Sequence, residues 1–461
     1  MTGLVDRFRS FGDSLSQLTE RWIPDSWVVC MMLTALALGL AIFGAGAGVS
    51  EATVAWGGGM WSLLELAMQF TVAMTVAHAC ASSRPIYRLM DRLAGLPDPS
   101  KPAQAVAMAA AFSLVTAYLN WALSLMAGAL FVPFLCRRNP RTDIRIIIAA
   151  AYLGIGTTFG PGLSSSAPLI LATPGNPLIE PLATQAIDRL IPVTETLFSG
   201  FNLVFLAVIA LVGFVSVVAL HPKEGAVTLT LEQAEALLPS LPAQPKEAST
   251  PAGYLDRFPG WVLLAFALIA YPLGHSMITR GFGVTWTINA YNMVFLAAAL
   301  LLHQNPLSFV EACRNGVTTT WGVILQFPFY AGIFGVMNDT GLGEWLGRLF
   351  VSIATTETYP LIVYVYSAFM NLFVPSAGSK WLIEAPYLLP AGAELGVSAT
   401  TVVLAYAYGD GTTNLIQPFW AIPILAVTGL RFGEVVGYTF LVACACFAVS
   451  AGAMLLIPAT M

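Results

Sequence analysis

Long apolar stretches, separated by short polar connections, run along most of the chain. A transmembrane helix needs about 20 consecutive apolar residues, and the pattern supplies many segments of that length. It predicts full spans at 26–47, 56–82, 144–172, 198–219, 260–278, 284–303, 315–338, 398–428 and 433–458. We therefore predict an all-α polytopic membrane protein with about nine full transmembrane spans.

Two further apolar stretches are interrupted in the middle. Residues 102–136 are broken at Asn120, and residues 356–392 are broken at the polar, proline-bearing segment 371–376. Non-helical backbone at membrane depth is tolerated where protein or a water-filled cavity surrounds it. Each stretch is therefore predicted to form a re-entrant helical hairpin. The alternative is a kinked pair of full spans in each place.

The two halves of the chain resemble each other. The motif Gly-x-Gly-Thr-Thr at 154–158 recurs in the run 409–413, an offset of 255 residues, and Asn120 pairs with Asn371 at an offset of 251. One additional span, at 259–279, separates the halves. An odd number of spans between two repeats inverts the second relative to the first, so we predict two inverted repeats, each with a hairpin and a broken helix.

These features divide the chain into five regions. An amphipathic helix lying in the membrane interface is predicted at the N-terminus, followed by the first repeat, a hydrophilic cytoplasmic linker, the additional span and the second repeat. The regions are 1–25, 26–219, 220–258, 259–279 and 284–461. The broken helices are 144–172 in the first repeat and 398–428 in the second.

Composition and charge agree with this picture. Charged residues make up 10% of the 461 residues and hydrophobic residues 57%, whereas a soluble domain is roughly a quarter charged. The net charge is −5, and no dense basic patch suggests a nucleic-acid partner. With a cytoplasmic N-terminus, 16 of the 20 basic residues fall on the cytoplasmic side. This bias predicts a multi-pass membrane protein whose N-terminus is cytoplasmic.

The hairpin tips and the broken helices are the candidate binding site. Breaking a helix frees carbonyl groups, which can bind a cation, and exposes a helix N-terminus, which can bind a carboxylate. The predicted substrate-binding residues are Asn120, Gly156, Thr157, Thr158, Ser164, Ser165, Asn371, Ser376, Lys380, Thr412, Thr413, Asn414 and Gln417. The alternative is that the small residues only allow close helix packing.

Ionisable residues inside membrane segments are functional candidates. Lys380 is predicted either to be the counter-charge of a substrate carboxylate or to pair with Glu384, one helical turn further on. Asp410 is the candidate for ion coupling, as a proton carrier or a cation ligand. A Na⁺ site, if the chain has one, is expected near Asn120, Gly154, Asn371 and Gly409.

Sequence motifs of other functional classes are missing. The chain has no G-x-x-x-x-G-K-[ST], no H-E-x-x-H and no G-x-S-x-G, and its four histidines are dispersed. The six cysteines show no metal-binding spacing. We predict no enzymatic activity, no cofactor and no certain metal site; an intramembrane enzyme or a channel stays as the alternative of a different class.

Several long strings carry a resemblance to a known family. They lie at 21–25 (RWIPD), 171–178 (LATPGNPL), 196–202 (TLFSGFN), 326–332 (QFPFYAG) and 417–421 (QPFWA). Over nearly its whole length the chain resembles the bacterial short-chain fatty acid transporters, which take up acids such as acetoacetate and butyrate. The wider superfamily includes dicarboxylate, citrate and arsenite carriers. That resemblance implies inverted repeats with opposed hairpins, and in several relatives an elevator motion coupled to Na⁺ or H⁺.

The predicted function is secondary active transport of a short-chain monocarboxylate. Segments 102–172 and 356–428 are predicted to move during transport. The coupling ion is expected to be H⁺, carried by Asp410, with Na⁺ as the second choice. The alternative substrate is a larger or dicarboxylic anion. The expected partners are the carboxylate, the lipid bilayer and a second copy of the chain, with a dimer favoured. The apolar pocket is expected to be lined by Trp121, Phe159, Phe373 and Leu415.

Overall fold

The structure is a computed structural model that describes residues 26–182, 187–222, 225–238, 250–318, 320–372 and 374–461. Throughout these residues the regular secondary structure is helical. The predicted interfacial helix at 1–25 and the predicted pocket residue Phe373 lie outside the described residues.

In its described residues, the first repeat contains ten α-helices. They are α1 (Ser26–Phe43), α2 (Val49–Gly59), α3 (Leu64–Ala81), α4 (Arg84–Ala94), α5 (Pro102–Leu119), α6 (Trp121–Arg138), α7 (Ile144–Tyr152), α8 (Ser166–Ala172), α9 (Ile179–Leu182) and α10 (Gly200–Ala219). Two short helices, α11 (Leu231–Ala236) and α12 (Pro251–Leu255), lie in the hydrophilic linker.

The second half begins with the additional helix, α13 (Pro259–Arg280), and a single turn, α14 (Phe282–Thr285). The second repeat follows. Its helices are α15 (Ile288–His303), α16 (Pro306–Val317), α17 (Trp321–Asp339), α18 (Leu342–Ile353), α19 (Tyr359–Asn371), α20 (Ala377–Glu394), α21 (Ala399–Thr413), α22 (Pro418–Thr428) and α23 (Phe432–Met454).

The helix order shows the repeat directly. Helix α19 starts 257 residues after α5, α20 starts 256 residues after α6, and α21 starts 255 residues after α7. The short helices α4 and α18, which precede the two hairpins, also correspond. In the described part of the chain, α13 stands between the repeats without a counterpart.

Both interrupted stretches form helical hairpins. Helices α5 and α6 are joined by the single residue Asn120, and the Ser124 hydroxyl donates back across the hairpin to the Ser113 carbonyl (3.3 Å). In the second hairpin, the Tyr359 hydroxyl donates to the Leu388 carbonyl (2.6 Å). The first α-helical arm of this second hairpin is shorter, 13 residues against 18 in α20.

The two broken helices break at different points of the shared motif. In the first repeat, α7 passes into one 3₁₀ turn at 153–156, and irregular backbone follows up to α8. In the second repeat, α21 continues through Gly409 to Thr413, and the break lies at 414–417, inside the predicted broken helix 398–428. The first repeat carries an extra Gly160-Pro161-Gly162, and this sequence cannot continue a helix.

The number of full spans stays a prediction. In the described residues, six helices are long and apolar enough to cross a membrane, or seven if the bent pair α16–α17 is one span. The predicted single span at 56–82 is divided between α2 and α3, because the three consecutive glycines at 57–59 end the first helix.

Helix packing sorts the molecule into two groups that face each other. Helices α1, α2, α3, α15, α16 and α17 pack around one another. Helices α5, α6, α7, α10, α19, α21 and α23 form the second group, which contains the first hairpin and both broken helices. Helix α20 contacts both groups, through α17 on one side and α21 on the other. The space between the groups contains the candidate site.

Candidate functional site

The tip of the first hairpin is bonded to the first helix break. Asn120 is extended, and its side-chain oxygen caps α6 by accepting from the Leu123 amide (3.0 Å). The Trp121 amide donates to the Ser164 hydroxyl (3.0 Å), and the Leu163 amide donates to the Tyr118 carbonyl (2.8 Å). The N-terminus of α6 is thus satisfied by side chains of the hairpin and the break.

The tip of the second hairpin is held against the second break. The Asn371 amide nitrogen donates to the Asp410 carbonyl (2.8 Å), the Thr413 hydroxyl (3.0 Å) and the Asn414 side-chain oxygen (2.8 Å). The Gln417 amide donates to the Leu372 carbonyl (3.1 Å). These bonds confirm that the second tip meets the second break.

The two breaks also contact each other. The Tyr152 hydroxyl donates to the backbone carbonyls of Asn414 and Gln417, and the Asn414 side chain donates to the Ile155 carbonyl (3.1 Å). Gly156 is required here, because a Cβ at this position would lie 2.2 Å from Leu415. Residues separated by some 260 positions in the sequence therefore form one packed centre.

The threonines of the repeated motif bond back to carbonyls of the hairpin or their own helix. Their hydroxyls are buried and use their hydrogen atoms in this way rather than for a ligand. The bonds run from Thr157 to Leu153 (2.9 Å), Thr158 to Leu114 (2.7 Å), Thr412 to Tyr408 (2.8 Å) and Thr413 to Ala368 (3.0 Å). Ser165, also buried, immediately precedes α8.

A cavity of about 340 Å³ lies between this centre and the opposing helices. Its walls are largely apolar and aromatic. One side consists of Phe70 and Met74 from α3 and of Trp321, Gly322, Val323, Gln326, Phe327 and Tyr330 from α17; the other consists of Trp121, Ile155, Phe159, Ser166, Trp420 and residues 375–379. This volume is at the small end of ligand pockets.

Few of the predicted site residues reach this cavity. Of the predicted substrate-binding residues, Ser376 is the one that lines it in the described part of the chain, and of the expected pocket residues Trp121 and Phe159 do. Leu415 packs against Gly156 instead. The sequence analysis missed the α3 and α17 wall, although the polar Gln326 within the apolar span 315–338 was a signal for it.

The N-terminus of α20 opens into the cavity. Ser376 begins this helix without a side-chain cap on its first turn, in contrast to α6, and residues 377–379 line the cavity. The Ser376 and Ser379 hydroxyls bond to each other there. Uncapped backbone N–H groups and the positive end of the helix dipole favour an anion at this end of the cavity.

A buried ion pair lies one turn further along α20. The Lys380 ammonium is 3.1 Å from Asp410 Oδ1 and donates to the carbonyl and the hydroxyl of Ser367 (2.9 and 2.8 Å). It also lies 4.5 Å from the centre of the Tyr406 ring. Lys380 and Asp410 are 1% and 2% exposed. Lys380 thus pairs with Asp410 on α21, and not with Glu384 on its own helix.

Two hairpin-bearing helical repeats around a small cavity, with several helices long and apolar enough to cross a membrane, define a polytopic membrane protein. Comparison with known proteins gives the family: residues 7–457 match the model of the family described as "Short chain fatty acid transporter". The chain belongs to this family. It is a transporter and not an enzyme.

Individual relatives agree with this assignment. The chain is 36% identical over 449 residues to a candidate short-chain fatty acid transporter of Escherichia coli (strain K12), covering 95% of this chain and 96% of that protein. It is also 31% identical over 452 residues to a candidate short-chain fatty acid transporter of Haemophilus influenzae, and the match covers 95% of this chain and 96% of that protein. The crystal structure of the Alcanivorax borkumensis YdaH transporter shares the fold, with a TM-score of 0.57, 16% identity and coverage of 94% and 98%.

Proposed function

We propose that this transporter carries short-chain monocarboxylates, such as butyrate or acetoacetate, across the bacterial inner membrane. One observation supports this most directly: the uncapped N-terminus of α20 opens into a cavity whose walls are largely apolar and aromatic. A carboxylate would bind the first turn of α20, and a short acyl chain would contact Trp121, Phe159 and Trp321. The family and its relatives carry the same substrate class in their names.

The alternative substrate, a larger or dicarboxylic anion, fits this cavity less well. The walls are largely apolar and aromatic, so a second carboxylate would lose most of its hydration there; the N-termini of α8 and α17, which also lack side-chain caps, are the donors it could reach. The nearest ammonium, Lys380, is already paired with Asp410. A monocarboxylate requires only the one set of donors that residues 377–379 provide.

Alternating access would proceed by movement of one helix group against the other. The hairpins and breaks are tied together by buried hydrogen bonds. Helices α3 and α17 pack on the hairpin helices α6 and α20 and form the opposite wall of the cavity. Helix α10 would move with the hairpins, because Asn202 accepts a hydrogen bond from the Tyr408 hydroxyl (2.6 Å) and Phe205 stacks on the Tyr408 ring (3.9 Å). This adds α10 to the predicted moving segments, in an elevator-like motion.

Symport with H⁺ is the coupling we propose first, and symport with Na⁺ second. Near the predicted Na⁺ position, the Asp410 carbonyl and the side-chain oxygens of Thr413 and Asn414 already accept hydrogen bonds from the Asn371 amide nitrogen. A cation there would have to displace those bonds. A proton requires only a carboxyl group whose neutral form is favoured by its surroundings.

A ligand series tests the substrate assignment. Isothermal titration calorimetry of the purified chain would compare acetate, butyrate, acetoacetate, octanoate and succinate. We expect butyrate and acetoacetate to bind most tightly and succinate at least about tenfold more weakly, since a second buried charge costs more than 1.4 kcal/mol. Succinate binding as tightly as butyrate would transfer the assignment to dicarboxylates.

A further inference from the structure

Glu384 is a buried carboxyl group on α20, one turn beyond Lys380, and is 1% exposed. Among the residues that the structure describes, neither of its carboxyl oxygens has a hydrogen-bond partner. An ionised carboxylate without a donor in a protein interior is among the most costly arrangements known, whereas the protonated group is neutral.

The charges around Glu384 leave room for one proton. The charged and titratable groups that face it from the described elements packed around it are Lys380 and Tyr387 on α20, Tyr366 on α19, and Tyr406 and Asp410 on α21. Tyrosines are neutral at physiological pH. With Lys380 and Asp410 paired, an ionised Glu384 leaves this buried cluster with a net charge of −1, and a proton brings it to zero.

We propose that Glu384 is the group that binds the coupled proton, and that the Lys380–Asp410 pair next to it stays ionised. This proposal rests on the proposed function. It separates the roles of the two carboxyl groups: Asp410 is in direct contact with the Lys380 ammonium, which stabilises it as an anion, while Glu384 receives the charge of Lys380 only through space and accepts no hydrogen bond from a described residue. The predicted carrier Asp410 thereby becomes the fixed counter-charge of Lys380.

Helix α20 connects this proton site to the cavity. The same helix presents its uncapped N-terminus to the substrate carboxylate and carries Glu384 just over two turns later. A proton on Glu384 removes negative charge behind the anion site, so it strengthens carboxylate binding. By reciprocity, a bound carboxylate strengthens proton binding by the same factor. Mutual strengthening of this kind is what symport requires.

The pH dependence of substrate binding tests the proposal. Butyrate and acetoacetate would be titrated between about pH 6 and about pH 8, where their carboxyl groups are ionised, with quenching of the cavity tryptophans as the signal. For the wild type we expect the apparent Kd to rise with pH, by up to about tenfold per pH unit for one linked proton. For Glu384→Gln we expect a Kd that no longer changes with pH. Glu394→Gln, an exposed glutamate of the same helix, is the matched control and should keep the wild-type profile.

Each outcome has one interpretation. A Glu384→Gln protein that keeps the wild-type pH dependence overturns the proposal, and so does wild-type binding that is independent of pH; the proposed transport of monocarboxylates stands in both cases. Wild-type protein that binds neither acid at any pH removes the proposed function itself. If Glu384→Gln does not fold, Glu384→Asp decides: a shifted midpoint of the pH profile supports the proposal, and an unshifted one contradicts it.

Discussion

A lysine and an aspartate inside the membrane region stabilise each other across two helices. Removing one partner of a buried pair leaves the other charge uncompensated, which costs about 3–5 kcal/mol, whereas neutralising both costs far less. The Lys380–Asp410 pair joins α20, whose N-terminus lines the cavity, to α21, which ends at the second break. Its integrity therefore determines how the second hairpin is positioned.

This pair makes a prediction about stability. We expect Lys380→Met to lower the free energy of unfolding in detergent by about 3–5 kcal/mol. Adding Asp410→Asn should restore much of this loss, because no isolated charge remains buried. Chemical unfolding followed by circular dichroism would measure both. If the double variant instead loses the sum of the two single-variant losses in free energy of unfolding, the two side chains do not stabilise each other.

Both residues of this pair could be identified from the sequence, but their pairing could not. Lys380 and Asp410 stand out as ionisable groups in apolar segments, so their selection needs only composition. The helical spacing favours Glu384 as the partner of Lys380. The actual partner is set by the approach of α21 to α20, a contact between residues 30 positions apart that no local pattern reveals.

At the scale of helices, the repeated glycines allow the broken helices to touch the hairpins. A Cβ at Gly154 would lie 2.1 Å from the Ser113 carbonyl oxygen, and a Cβ at Gly409 would lie 2.2 Å from the Tyr364 carbonyl oxygen. These are equivalent positions of the two repeats, and each faces the first arm of its own hairpin. The recurrence of the first glycine of the motif thus has one steric cause in both halves.

The two glycines of the second motif should respond differently to the same change. Gly409→Ala forces backbone apart and is expected to cost about 1–3 kcal/mol or more. Gly411→Ala is the matched control, because its Cβ would be 3.6 Å from Gly160, an ordinary contact distance. Thermal unfolding of the two variants in detergent makes the comparison. Equal loss of stability would contradict the steric explanation.

The hairpins and breaks were predictable as elements, and their internal geometry was not. Asn120 and Asn371 mark both hairpin tips in the sequence, and the structure has a helix boundary at each. The second break lies within the predicted broken helix 398–428, but its exact place, 414–417, could not be read from the glycines and threonines of the motif. The Thr412 and Thr413 hydroxyls bond within their surroundings and leave α21 intact up to Asn414.

For the whole molecule, the internal repeat in the sequence predicted most of the helix order. The near-constant offset in the sequence corresponds to matching helix order in the structure, with α13 between the halves. The cavity was harder to predict, because its second wall comes from α3 and α17, outside the repeated motif. A motif search finds the residues that hold the site together more readily than the apolar residues that contact the ligand.

The most direct test of the account is uptake of labelled butyrate and acetoacetate by proteoliposomes, under an imposed pH gradient or Na⁺ gradient. Short-chain acids also cross bilayers in their neutral form, so protein-free liposomes set the baseline. Ser376→Trp fills the cavity at the α20 N-terminus, and Ser352→Trp is an exposed control on α18. We predict gradient-driven uptake above the baseline for the wild type and Ser352→Trp, and uptake at the baseline for Ser376→Trp. Wild-type uptake no faster than in protein-free liposomes under either gradient would contradict the assignment.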